Sequence, residues 1–212
     1  MNRRALIATT AAGALALFTG GVLFYKPSGG PAQKMSEDGP LLRPFAPTYG
    51  PDDAPVTIVE FFDPACEACR AFYPIVKDIM KKHKGKVRLV LRYVAFHGPS
   101  EEAIRLLEAA RVQGAFTKTL KRLYETQPRW APHGRPAASV WAMVEGLGLD
   151  IDKAKIDKNL PDIHAILATS AQDVQAAGVS KTPTFFVNGK PLPKFGVAEL
   201  EELVAEEVKA SS

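Results

Sequence analysis

The sequence predicts an α/β domain with a block of helices set into it, and three observations carry that prediction. An apolar run rich in branched and aromatic residues, Val56-Thr57-Ile58-Val59-Glu60-Phe61-Phe62, has strand character and passes directly into a helical stretch. A second such run, Val87 to Phe96, follows that helix after a short connection, so the three form a βαβ unit with parallel strands. From Gly98 to Ala177 the apolar spacing is helical, and strand character returns only at Thr184-Phe185-Phe186-Val187.

Each element has its own signals. The first helix is expected from about Ala65 to His83, where Cys69, Phe72, Tyr73, Val76, Ile79 and Met80 share one face; Pro74 lies inside it and predicts a kink. In the helical block, Ser100 is expected to cap a helix that carries Glu101-Glu102 in its first turn and ends at Gly114. Phe116, Leu120 and Leu123 mark the next helix, and Pro136 is expected to start another through Val140, Trp141 and Val144. The stretch Gln127 to Arg135, around Trp130 and His133, reads as a loop. Asp162 to Ala177 closes the block, stopped by Gly178. Asn188-Gly189 is a strong hairpin signal, and Val197 to Lys209 carries Leu200, Leu203, Val204 and Val208 on one face.

The chain has 212 residues. Roughly 160 of them read as globular, enough for one domain with a core that needs no disulfide staples. With 27 Lys+Arg against 23 Asp+Glu the net charge is +4, and the densest basic stretch, Lys81 to Lys86, falls where a helix should end. Cations there complement the helix dipole, so the charge pattern argues for no nucleic-acid partner.

Before the domain come two other segments. Arg3-Arg4 precede Ala5 to Tyr25, a stretch free of charged residues and long enough to cross a bilayer core of about 30 Å. Residues 1–25 therefore read as a membrane anchor or a signal segment. Ala14-Leu15-Ala16 resembles a cleavage site, but it lies inside the apolar run, which favours an uncleaved anchor. The basic residues ahead of it send the rest of the chain across the membrane. Lys26 to Pro55 holds seven of the 17 prolines together with Gly29-Gly30. Residues 26–48 accordingly read as a linker, the domain occupying 49–212 with its helical insertion at about 98–177.

The two cysteines of the chain form Cys66-Glu67-Ala68-Cys69 at the strand-to-helix junction. Unpaired N–H groups and the positive dipole end of a helix favour a thiolate there, which makes Cys66 the candidate nucleophile. Cys69, about one helical turn on, can close a small ring with it. A structural disulfide across so short a loop would remove little unfolded-state entropy. Zinc would want four ligands, and His83, His97, His133 and His164 lack the spacing to complete them. Glu60 is an acid in a run otherwise fit for burial on both faces, a costly placement unless the acid is used. His97 and Trp141 read as packing residues.

This order of elements resembles the thioredoxin fold with an inserted helical subdomain, and specifically the DsbA-like branch of thiol-disulfide oxidoreductases, over roughly Pro47 to Lys209. The resemblance implies that Cys66 and Cys69 are the redox pair and that Glu60 is the buried acid beneath the second cysteine. It also implies that Thr182 and Pro183 form the threonine-proline step, with a cis proline whose neighbouring backbone holds the substrate peptide. One departure bears on strength: Glu67 places a negative charge beside the sulfur where DsbA has a histidine in the intervening pair, which should disfavour the thiolate and weaken the oxidant. The expected activity is disulfide exchange on cysteine-containing exported proteins, with a redox-recycling partner, no cofactor and no metal. The expected location is the inner membrane, the domain facing the periplasm. Two other classes use the same features, a copper chaperone holding Cu(I) between the thiolates and a holdase gripping unfolded clients.

Overall fold

The computed structural model of the chain describes residues 35–36 and 38–211. It contains a five-stranded sheet in the order β1-β3-β2-β4-β5, built from β1 (Thr48–Tyr49), β2 (Val56–Phe62), β3 (Val87–Tyr93), β4 (Thr184–Val187) and β5 (Lys190–Pro191). β2 and β3 run parallel, as the βαβ reading requires, and the other pairs are antiparallel. All seven residues of β2 are buried, because both faces of the sheet are covered. Strand alternation sends Val56, Ile58 and Phe62 to one core and Val59 and Phe61 to another.

The first core is closed by α1 (Glu67–Lys82), which runs on through Pro74, and by α6 (Val197–Ala210). Cys69, Phe72, Val76 and Ile79 are the buried face of α1, the face that the apolar spacing marks. The insertion joins the same core through α2 (Ser100–Val112) and α3 (Phe116–Trp130), and continues as a 3₁₀ turn (Val140–Val144), α4 (Ile151–Asp157) and α5 (Pro161–Ala176). Asn188 and Gly189 take φ of 48° and 77° and turn β4 into β5, the left-handed pair that a tight hairpin demands.

Five expectations are corrected. The helix through Trp130 replaces the loop expected from Gln127: Trp130 is 1 % exposed, and its Nε1 donates to the Leu123 carbonyl at 2.8 Å, which secures the last turn despite Pro128. Pro136 starts no helix; the short 3₁₀ turn begins after Ser139, whose Oγ accepts from the Trp141 amide. β3 ends at Tyr93 rather than Phe96, and Ser100 opens α2 without capping it, both because their polar groups turn to Asp63. Finally, the chain is already folded onto the domain before residue 49: Leu41 and Leu42 are buried in the second core and β1 pairs with β3.

That last segment is held by charge as well as by apolar contact. Arg92, fully buried on β3, donates to Asp173 Oδ2 at 2.6 Å and to the Pro40 carbonyl at 2.6 Å. Arg43 completes the cluster through two hydrogen bonds to the same carboxylate, at 2.7 and 2.9 Å. The two guanidinium groups outweigh burial and hold Asp173 below its ordinary carboxylate range.

Among the described residues no helix is long and apolar enough to cross a membrane. The expected anchor, Ala5 to Tyr25, lies outside the described residues, as does most of the expected linker.

Candidate active site

Cys66 stands at the N-cap of α1 and is 7 % exposed; Cys69 is one turn inside and fully buried, and both are free thiols. Sheet register brings the distant Thr182-Pro183 step to the same place. β4 begins at Thr184, opposite Phe61, so the residues just before it lie beside the loop that leaves the end of β2. The Thr182–Pro183 bond is cis, and the Cys66 Sγ lies 3.3 Å from the Thr182 carbonyl oxygen.

Four hydrogen bonds set the acidity of Cys66. The Cys69 thiol contributes most, burial opposes it, and the Thr182 side chain and the backbone amides of Cys69 and Ala68 add to it. Together they bring Cys66 down to about 5. Cys69 is pushed strongly the other way, first by burial and then by the hydrogen bond it gives Cys66 and by the negative charge of Glu60. The pair thus divides into a favoured thiolate at the helix N-cap and a thiol one turn deeper, the division that exchange chemistry requires.

Glu67 does not act as its position in the sequence suggests. Its carboxylate is bound by His133 Nε2 at 2.5 Å, a partner 66 residues away, and its pKa is lowered: burial works against this, while its own backbone amide and His133 outweigh burial. The carboxylate that follows Cys66 is therefore hydrogen-bonded to an imidazole brought in by the insertion.

Glu60, the acid of β2, is buried within the sheet. It pairs with Leu91 and Phe185 in the middle of the sheet, is 4 % exposed, and shares the face of Ile58 and Phe62, toward α1. Burial first and the negative Cys66 second raise it to about 8.

Three residues of the site escape the sequence reading. Asp63, fully buried between β2 and the cysteines, accepts from the amides of Ala65, Phe96 and His97, from Ser100 Oγ and from His97 Nδ1, while its own amide donates to Cys69 Sγ at 3.4 Å. His97, expected to be a packing residue, is held by this carboxylate at 2.8 Å and is only partly buried. Burial disfavours its charge, but Asp63, Cys66 and Glu67 raise its pKa all the same. Gln127 of α3 donates to the carbonyls of Pro64 and Cys66 at 2.9 and 3.0 Å, fastening the cysteine loop to the insertion. An acid directly after the strand, in Asp63-Pro64, was the one local signal available for this network. Trp141, by contrast, lies away from it and donates to Glu102 at 2.6 Å. Among the described residues no group of three or more His, Cys, Asp or Glu side chains is placed to hold a metal ion.

A mixed sheet with a cysteine pair at the first strand-to-helix junction and a cis proline facing it defines a thioredoxin-type protein of the DsbA-like kind. Residues 44–206 match the family model described as thioredoxin, and the chain belongs to that family. In solved structures it resembles BdbD from Bacillus subtilis, with a TM-score of 0.71 and 25 % identity over 84 % of this chain and 97 % of that one. It also resembles a thioredoxin-like oxidoreductase from Silicibacter pomeroyi, with a TM-score of 0.69 and 26 % identity over 84 % of this chain and 100 % of that one. Among curated relatives, disulfide bond formation protein D of Bacillus subtilis is 29 % identical over 177 residues, 77 % of each protein. The Na⁺/H⁺ antiporter NhaA 3 of Salinispora tropica is 36 % identical over 147 residues, 66 % of this chain and 21 % of the antiporter. The chain spans about a fifth of the length of the antiporters it matches.

Proposed function

We propose that the chain is a thiol-disulfide oxidoreductase that acts on cysteine-containing exported proteins through Cys66 and Cys69. The observation that carries this reading is the split pair itself: Cys66 at about 5 beside the Thr182-Pro183 backbone, and a protonated Cys69 beneath it with Glu60 at about 8. The relative named disulfide bond formation protein D supports it, and the N-terminal apolar segment supports an anchored, exported location.

In the reducing direction the Cys66 thiolate attacks one sulfur of a substrate disulfide, forming a mixed disulfide and expelling the other sulfur as thiolate. Forming that bond removes the charge of Cys66, one of the two causes that hold Glu60 up, so Glu60 becomes more readily ionised when its base is needed. Cys69 then passes its proton to Glu60 and attacks Cys66; the Cys66–Cys69 bond forms, the mixed bond breaks, and the second substrate sulfur leaves. Two electrons have moved from the pair to the substrate. The oxidising direction is the reverse sequence, and a redox-recycling partner resets the pair. A Cys66 value between the roughly 7 of thioredoxin and roughly 3.5 of DsbA suits an oxidant of intermediate strength.

Cys69→Ser tests this reading. It leaves Cys66 able to attack and removes the resolving thiol, so a mixed disulfide with exported proteins is expected on non-reducing gels, absent again in a Cys66→Ala, Cys69→Ser double variant. A Cys69→Ser protein that traps nothing would count against exchange on proteins.

A further inference from the structure

Beneath α1 lies a cavity of about 260 Å³ that the exchange reaction leaves unused. Its walls are almost wholly apolar and unusually aromatic, with Tyr49, Tyr73 and Tyr124 around Phe62, Leu91 and Leu120. The polar residues of the lining are Lys77, Thr117 and Glu60, and of these Glu60 is the buried one, its side chain on the face of β2 that borders the space. Among the described residues nothing in the protein donates a hydrogen bond to that buried carboxyl. A buried carboxyl without a protein partner is uncommon, and one that borders a partly open cavity invites a ligand that supplies the bond.

We propose that this cavity is a binding site for a small phenol or aryl alcohol, its ring seated among the tyrosines and its hydroxyl on the Glu60 carboxyl. The space is larger than the roughly 150 Å³ that holds a benzene in an apolar cavity. Flat aromatic walls suit an aromatic ring in offset or edge contact. The hydroxyl suits the carboxyl in either state, donating to the carboxylate and accepting from the acid. A hydrocarbon of the same shape would leave Glu60 unpaired, and an ammonium would set a second cation beside Lys77 in a largely apolar space. The consequence of occupancy rests on the exchange reading: a hydroxyl on Glu60 competes for the base that Cys69 uses, so resolution slows while attack by Cys66 does not.

Ligand-observed NMR titration of the whole chain with p-cresol, toluene and benzylamine tests the site. Saturable binding of p-cresol at one site is expected, at least tenfold tighter than toluene or benzylamine. Thr117→Trp and Met80→Trp, which fill the cavity from its exposed rim and its half-buried wall, should each weaken p-cresol at least tenfold while the circular dichroism and the thiol reactivity of Cys66 stay unchanged. Absence of saturation, toluene binding as tightly as p-cresol, or binding undiminished in both tryptophan variants would overturn the proposal. The titration reads occupancy alone, so its failure leaves exchange through Cys66 standing; a Cys69→Ser protein that traps nothing removes the consequence for resolution and leaves the site.

Discussion

Glu60 and Asp173 are both carboxylates at 4 % exposure or less, they serve opposite faces of the same sheet, and their surroundings treat them in opposite ways. Asp173 receives two arginines, one of them fully buried, and is lowered. Glu60 receives no hydrogen bond and is raised to about 8. The first arrangement spends a desolvated charge on fixing Pro40, Arg43 and α5 to the back of the sheet, where nothing reacts. The second leaves a carboxyl dissatisfied beside a thiol that has a proton to lose. Burial is common to both; the partner decides whether an acid holds the fold or stays available for chemistry.

Breaking the partnered side should have the largest effect. Asp173→Ala leaves Arg92 buried without its counter-charge, and a loss of about 3–5 kcal/mol in urea unfolding is expected, with the titration of Cys66 unmoved. The stabilisation by Asp173 is present above its ordinary 3.8 and is lost as pH falls through its lower folded value, so the wild-type advantage over Asp173→Ala should shrink only in strong acid.

Glu60→Gln should do the reverse. Between the ordinary 4.5 and about 8 the folded protein holds a proton on Glu60 that the unfolded chain has released. Wild-type stability therefore falls relative to Glu60→Gln by about 1.4 kcal/mol for each pH unit in that window. Unfolding curves for the two proteins at several pH values check the sign; parallel behaviour would mean that Glu60 is partnered after all.

The smallest effect belongs to the exposed pair at the mouth of the site. His133→Ala removes an ion pair open to solvent and should change global stability by less than about 1 kcal/mol. It should also raise the titration of Cys66 slightly, read from ultraviolet thiolate absorbance, because Glu67 then faces the sulfur uncountered.

The same contrast explains what could be read before folding. β2, the Cys66–Cys69 motif, Thr182-Pro183 and the Asn188-Gly189 turn are patterns within a few residues, and chemistry over such distances is written in the local sequence. Glu60 was legible for a related reason, as one acid in a run with no other. Gln127 meets Cys66 across 61 positions and His133 meets Glu67 across 66, so neither partner could be paired from spacing. Leu41, Leu42 and the two-residue β1 were hidden by the prolines around them, which suit a linker and an ordered edge segment equally well. Asp63 was passed over although it follows the strand directly, because its five hydrogen bonds come from residues up to 37 positions on.

The central claim is that an unpartnered Glu60 takes the proton of Cys69. Stopped-flow resolution of a preformed Cys66 mixed disulfide, followed across pH in wild type and Glu60→Gln, tests it most directly. The wild-type rate should rise with pH to a break no higher than about 8, and Glu60→Gln should lose that break and resolve roughly a hundredfold more slowly below it. Identical pH profiles in the two proteins would contradict the account.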